Sequence, residues 1–174
     1  MTALIVTESL FGNTLAVAEA IAAGVGSVRG RNQVRVVHAS QAPAMLPEGL
    51  ELLVVGAPTH TLSLPNAGTR AHAVANGAAG SATPTGVREW IAAVVIPPGL
   101  RIATFDTSIP SRVGNGNAAR AAAAVLRERG ADTTIGPSFW VTGMEGPLAD
   151  GELARATAWG EELATEATVR VLGR

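Results

Sequence analysis

The residues of this chain best suited to chemistry are hydroxyls, amides and glycines, gathered in three short segments. The first is residues 7–14, reading Thr-Glu-Ser-Leu-Phe-Gly-Asn-Thr. It follows a short apolar run, Leu4, Ile5 and Val6, and leads into a stripe of Val17, Ile21 and Val25 spaced four apart. A buried strand thus turns directly into an amphipathic helix. The first N–H groups of such a helix have no intrahelical acceptor, and the helix dipole adds partial positive charge at that end. The turn suits an anion, phosphate above all. No Lys or Arg stands between Met1 and Gly26, so backbone amides and hydroxyls must do the holding. Within this turn, Ser9 and Asn13 are also candidate N-caps.

The second segment, residues 56–65, reads GAPTHTLSLP and closes another apolar run. The third, residues 105–120, reads FDTSIPSRVGNGNAAR. His60 and Asp106 are the titratable groups in these two segments that chemistry would use first. A surface histidine and a carboxylate that caps Thr107 or a nearby N–H are the plainer alternatives. Glu8, beside the proposed anion, is expected to face solvent. Arg70, Arg88, Arg112 and Arg120 are expected on the solvated surface or facing a partner.

These segments need a frame to bring them together. Strands are expected at residues 4–6, 33–38, 50–55, 100–105 and 132–142, the last interrupted at Gly136-Pro137. Helices are expected from Thr14 to the Gly26 region, and over 66–76, 87–95, 117–130 and 151–172, with Leu153, Ala156, Trp159, Leu163 and Ala167 on the buried stripe of the last. Strands alternate with helices, which argues for a parallel sheet covered on both faces. At 174 residues the chain suits one domain, residues 1–174. The polar loops then gather at the carboxyl ends of the strands.

Several function classes fall away. Cysteine is absent, which removes disulfides, thiolate ligands and a cysteine nucleophile. The three histidines are scattered and make no metal site. A net charge of −1 gives no support for nucleic acid or membrane partners. No apolar run reaches the roughly 18 residues of a membrane span, and the N-terminus lacks a signal-peptide pattern, so a cytoplasmic location is expected. Neither a P-loop nor a G-x-G-x-x-G follows the first strand.

Ser9, Leu10, Phe11, Gly12, Asn13 and Thr14 resemble the phosphate loop of flavodoxins, a hydroxyl residue and two variable positions before Gly-Asn-Thr. The family resemblance implies a flavodoxin-like α/β fold, a five-stranded parallel sheet in the order 2-1-3-4-5 with helices on both faces. It places a ligand at the strand ends where the order reverses, a rule drawn partly from flavodoxins themselves. It implies flavin mononucleotide (FMN), its phosphate against Ser9, Asn13 and Thr14. Pro58 and Thr59 would shape the second loop, with His60, Thr61 and Leu62 beside the ring. Asp106, Thr107 and Gly114 would belong to the loop on the other side of the ring. The phrases PTH, REW, FDT, AAR, GPL-x-x-GEL and WG resemble a group of actinobacterial flavodoxin-family proteins.

One departure sets this chain apart. Typical flavodoxins stack Trp or Tyr on the flavin, but this chain has no Tyr, and its Trp90, Trp140 and Trp159 are expected in the core. Phe105 is expected to point into the sheet, leaving His60 to stack. Loss of a stacking aromatic costs about 0.5–1.5 kcal/mol beyond area, so FMN binding weaker than in a typical flavodoxin is expected. The resemblance implies an electron-transfer protein with a redox partner protein and no catalytic residue of its own. The alternatives are an FMN-dependent NAD(P)H quinone or nitro reductase, and a module that kept the fold and lost the flavin.

Overall fold

The computed structural model describes residues 2–78, 84–110 and 116–172. Apolar runs form the strands β1 (Ala3–Thr7) and β3 (Leu52–Pro58), while β4 (Arg101–Ser108) mixes apolar residues with Thr and Asp. All three lie inside the sheet and are buried on both faces, so β1 and β3 read as continuous apolar runs rather than alternations. The edge strands β2 (Val34–His38) and β5 (Thr133–Trp140) are mixed in burial. All pairings are parallel, and the order is β2-β1-β3-β4-β5. β5 runs through Gly136-Pro137 without a break. The irregularity expected there appears as a register shift, with Thr104 opposite Ile135 but Asp106 opposite Ser138.

Helices cover both faces. α1 (Asn13–Arg29) and α5 (Glu152–Leu172) pack on one side, where Ile5, Val54, Phe105 and Phe139 meet Val17, Ile21, Ala156 and Leu163. α3 (Val87–Ala93) and α4 (Ala118–Glu128) pack on the other, where Leu4, Val6, Leu53, Val55 and Ile102 meet Trp90, Ile91, Ala122 and Leu126. The alternation along β1 is the two-residue period of a strand dividing its side chains between two cores. α2 (Ala67–Ala75) is opened by a capping box, Asn66 accepting from the Thr69 N–H while Thr69 Oγ1 accepts from the Asn66 N–H.

Two side chains depart from expectation. Leu153 is 47% exposed rather than part of the buried stripe of α5. Trp140, the last residue of the edge strand β5, is 39% exposed. Trp90 is buried, and Trp159 packs edge-on against Phe105.

α1 and α5 approach closely enough to require glycine at the crossing. A Cβ on Gly24 would run into the Thr157 carbonyl, and one on Gly160 into the Ile21 carbonyl. Both obstacles are backbone, which cannot rotate aside. Gly24→Ala is therefore expected to lower stability by about 1–2 kcal/mol in urea unfolding, despite the better helix propensity of Ala. An unchanged or raised midpoint would show that the helices part without cost.

Candidate functional site

The carboxyl ends of β1, β3, β4 and β5 open at the same end of the sheet, and their loops line one shallow trough. The β1 loop and the mouth of α1 contribute Leu10, Phe11, Asn13 and Thr14. Pro58 ends β3 and Thr59 and His60 follow it, while Thr107 and Ser108 end β4 and Ile109 follows it. Val141, Gly143 and Met144 follow β5. The space within it open to the centre of a water molecule is about 90 Å3. Among the described residues, no Lys, Arg, Asp or Glu lines the trough.

At the mouth of α1, Gly12 occupies the N-cap position at φ 88, a left-handed conformation that glycine adopts without strain. Neither Ser9 nor Asn13 is the N-cap, but Ser9 performs part of that role: its Oγ accepts from the Leu15 N–H at 3.1 Å. The Ala16 N–H donates to the Gly12 carbonyl. The N–H groups of Asn13 and Thr14 find no acceptor among the described residues and remain available to a ligand. The Thr14 hydroxyl is tied to the Thr107 hydroxyl at 2.7 Å, which fixes the β1 loop to the end of β4.

The β3 loop is fastened by the Thr59 N–H donating to the Thr107 carbonyl at 2.8 Å. It then makes a two-residue turn. His60 and Ser63 exchange both backbone hydrogen bonds, at 2.9 and 3.0 Å, around Thr61 at φ 49 and Leu62 at φ 62. Positive φ at both central positions is a hairpin geometry that ordinarily selects Asn and Gly. A β-branched Thr in that conformation is strained. The turn holds Leu62 46% exposed.

No protein-family model matches the chain, and no curated protein matches it in sequence. Solved structures do. A flavodoxin from the domain Archaea aligns with a TM-score of 0.64 at 21% identity, over 97% of this chain and 99% of that one. Flavodoxin 2 from Bacillus cereus aligns at 0.62 and 14% identity, over 95% and 99%. The Streptococcus pneumonia TIGR4 flavodoxin aligns at 0.60 and 14%, over 95% and 99%. The chain has the flavodoxin-like fold.

This flavodoxin-like chain brings Leu10, Phe11, Asn13, Thr14, Pro58, Thr59, His60 and Thr107 together around the trough. Ser9, Gly12, Thr61 and Leu62 stand at its loops without lining it, and Gly114 lies outside the described residues, as does Arg112. Asp106 is fully buried beneath the trough. Its carboxylate accepts from Thr59 Oγ1 at 2.6 Å and from Ser138 Oγ at 2.7 Å. Thr59 Oγ1 in turn accepts from the Ala118 N–H at 2.9 Å, and Ser138 Oγ from Asn117 Nδ2 at 3.1 Å. One carboxylate thus ties together the β3 loop, β4, β5 and the start of α4. Burial pushes its pKa up, against the pull of the Thr59 and Ser138 hydroxyls. His60 is held below the usual histidine range by burial and then by the positive charge of Arg70, so its imidazole is neutral at pH 7.

Two expectations are overturned by a single buried network. Glu8 does not face solvent, and Arg70 is neither on the solvated surface nor facing a partner: both side chains are 1% exposed. Arg70 Nη1 reaches Glu8 Oε1 at 3.4 Å, and its Nη2 donates to Glu89 Oε1 at 2.8 Å. Glu8 Oε2 also accepts from the Val87 N–H at 2.8 Å, capping α3. Glu8 thereby links the end of β1 to α2 and to the start of α3. Arg88 is half-buried and donates to the Leu64 and Pro65 carbonyls. Arg120 is exposed, as expected.

Sequence reasoning did not include Ser108, Ile109, Val141, Gly143 and Met144 in the site. The hydroxyl pattern of the third loop carried a signal for Ser108. Nothing in the short segment after β5 distinguished it from an ordinary connection. Among the described residues, no group of three or more His, Cys, Asp or Glu is placed to hold a metal ion, and no helix is long and apolar enough to cross a membrane.

Proposed function

We propose that this chain binds FMN and serves as an electron carrier to a protein partner. The observation that supports this most is the meeting of a helix mouth, with free Asn13 and Thr14 amides, and a trough at the ends of four strands in which no charged side chain stands among the described residues. The residues fit the cofactor. Asn13 and Thr14 N–H groups and the Ser9 hydroxyl suit a phosphate without a cationic side chain. Pro58, Ile109 and Val141 offer apolar walls to a flat ring, and loop amides and hydroxyls offer partners to its polar edge. Bound FMN would supply reversible one- and two-electron storage.

The chain's own part is to bind, orient and shield. His60, neutral at pH 7, adds no charge beside the ring. Asp106 spends both oxygens on Thr59 and Ser138, so it serves as a strut rather than a base. The flavodoxin-like neighbours support the same reading through their names and fold.

The test is the visible spectrum of purified protein before and after adding FMN. An absorbance band near roughly 450 nm that travels with the protein through gel filtration is the expected result. Protein that stays colourless in excess FMN would favour a module of this fold without flavin. Oxidation of NADPH by the FMN-loaded protein with a quinone as acceptor would point to a reductase instead.

A further inference from the structure

The segment after β5 is a small hairpin, residues 141–148, closed by a bridge between Val141 and Leu148. The Thr142 N–H donates to the Pro147 carbonyl at 2.9 Å, and the Gly146 N–H to the Gly143 carbonyl at 3.1 Å. The tip does not hang free. Asn13 Nδ2, from the first residue of α1, donates to the Glu145 carbonyl at 3.0 Å. Gly146, at φ 101, lies flat against that same amide: a Cβ there would come within 2.6 Å of Asn13 Nδ2 and Oδ1. The hairpin is thereby fastened to the helix mouth where the anion is expected, 132 residues away in sequence.

Fastened there, the hairpin presents Val141, Gly143 and Met144 to the trough. Met144 is 63% exposed, although it belongs to a wall of the site. Among the described residues, Phe11 is the only Phe, Trp or Tyr that lines the trough. A thioether is polarisable and flexible, and it makes favourable contacts with aromatic rings.

We propose that hairpin 141–148 is a cofactor-binding element, in which Met144 covers the bound ring system and Asn13 acts as the positioning residue that fixes the hairpin. This rests on the FMN reading above and adds to it the part of the chain that takes over from a stacking aromatic. Asn13 then has two roles: its backbone N–H faces the anion, and its side chain holds the wall.

The test measures dissociation constants for FMN and for inorganic phosphate in the full chain and in Met144→Ala, Met144→Leu, Asn13→Ala and Met45→Ala. Met45 is 76% exposed and does not line the trough, so it controls for loss of any surface methionine. Met144→Ala is expected to weaken FMN about 2- to 10-fold. Its phosphate affinity should stay unchanged, and its bound flavin should be more fluorescent and more accessible to iodide quenching. Met144→Leu should recover most of the affinity, and Met45→Ala should match the parent. Asn13→Ala should raise the dissociation constant for FMN more than that for phosphate. If the parent binds FMN and Met144→Ala leaves both its affinity and its fluorescence unchanged, the inference is overturned while the FMN reading stands. If the parent binds no FMN, both fall.

Discussion

Replacing Arg70 with Ala is expected to lower the free energy of unfolding by about 3–5 kcal/mol at pH 7, the range for removing one partner of a buried ion pair. The cost is less the lost attraction than what is left behind. Glu8 is 1% exposed, and Arg70 is the only cation paired with it among the described residues. Burial already pushes the Glu8 pKa up, with the Val87 N–H and Arg70 pulling it down. Without Arg70 the carboxylate would be buried with little to offset its charge.

That gives the loss a pH dependence of known sign. A buried acid with a raised pKa binds more protons folded than unfolded between its two pKa values. Its contribution is present below the unfolded value and is lost as pH rises through the folded one. The Arg70→Ala defect should therefore shrink as pH falls from 7 toward 5. Urea unfolding across that range checks it. Glu8→Gln combined with Arg70→Met should recover much of the stability, since it removes both charges and leaves an amide acceptor for Val87. A defect that is constant with pH, or under about 1 kcal/mol, would mean that the pair is solvated in solution. Because Glu8 immediately precedes Ser9, a genuine loss of the pair should also loosen the turn before α1.

Asp106→Ala is expected to cost about 2–3 kcal/mol, because it leaves two hydroxyls beneath the trough without their acceptor. The effect should not stop at stability. Thr59 and Ser138 connect the carboxylate to the Ala118 N–H and to Asn117, so the trough floor and the start of α4 lose a common anchor. FMN affinity should fall together with unfolding stability. Asp106→Asn is the informative comparison. Its amide can accept from only one of the two hydroxyls, so it should lie between Ala and the parent. Burial raises the Asp106 pKa, so this residue, like Glu8, stabilises the fold more at mildly acidic pH than at neutral pH. An Asp106→Ala protein that unfolds like the parent and binds FMN equally well would remove Asp106 from the account.

The sheet was legible because its determinants are local. Leu4, Ile5 and Val6 are followed at once by a polar turn and by Val17, Ile21 and Val25, all of which are buried as their spacing implies. The gathering of Phe11, Thr14, Thr59 and Thr107 was legible too, once parallel strands placed their loops at one end. Contacts between distant residues were not. Glu8 and Arg70 are 62 residues apart, and nothing near either one marks it as buried. A charged residue in a polar turn reads as solvated until its partner is known. Trp140 reads as core by type, but it is 39% exposed at the end of β5, next to the fully buried Phe139. The hairpin after β5 carries no comparable local signal, because its anchor is Asn13, at the other end of the chain.

On the proposed reading, unpaired amides at the mouth of α1 would grip the phosphate of a flavin nucleotide without a cationic side chain. The most direct measurement follows backbone amide chemical shifts while FMN is titrated into labelled protein. The largest shifts should fall on residues 9–14, Asn13 and Thr14 foremost, with Thr59, His60 and Met144 moving as the ring settles and Val34 and Met45 staying still. Shifts concentrated elsewhere, or amides of Asn13 and Thr14 that do not move at saturating FMN, would contradict it.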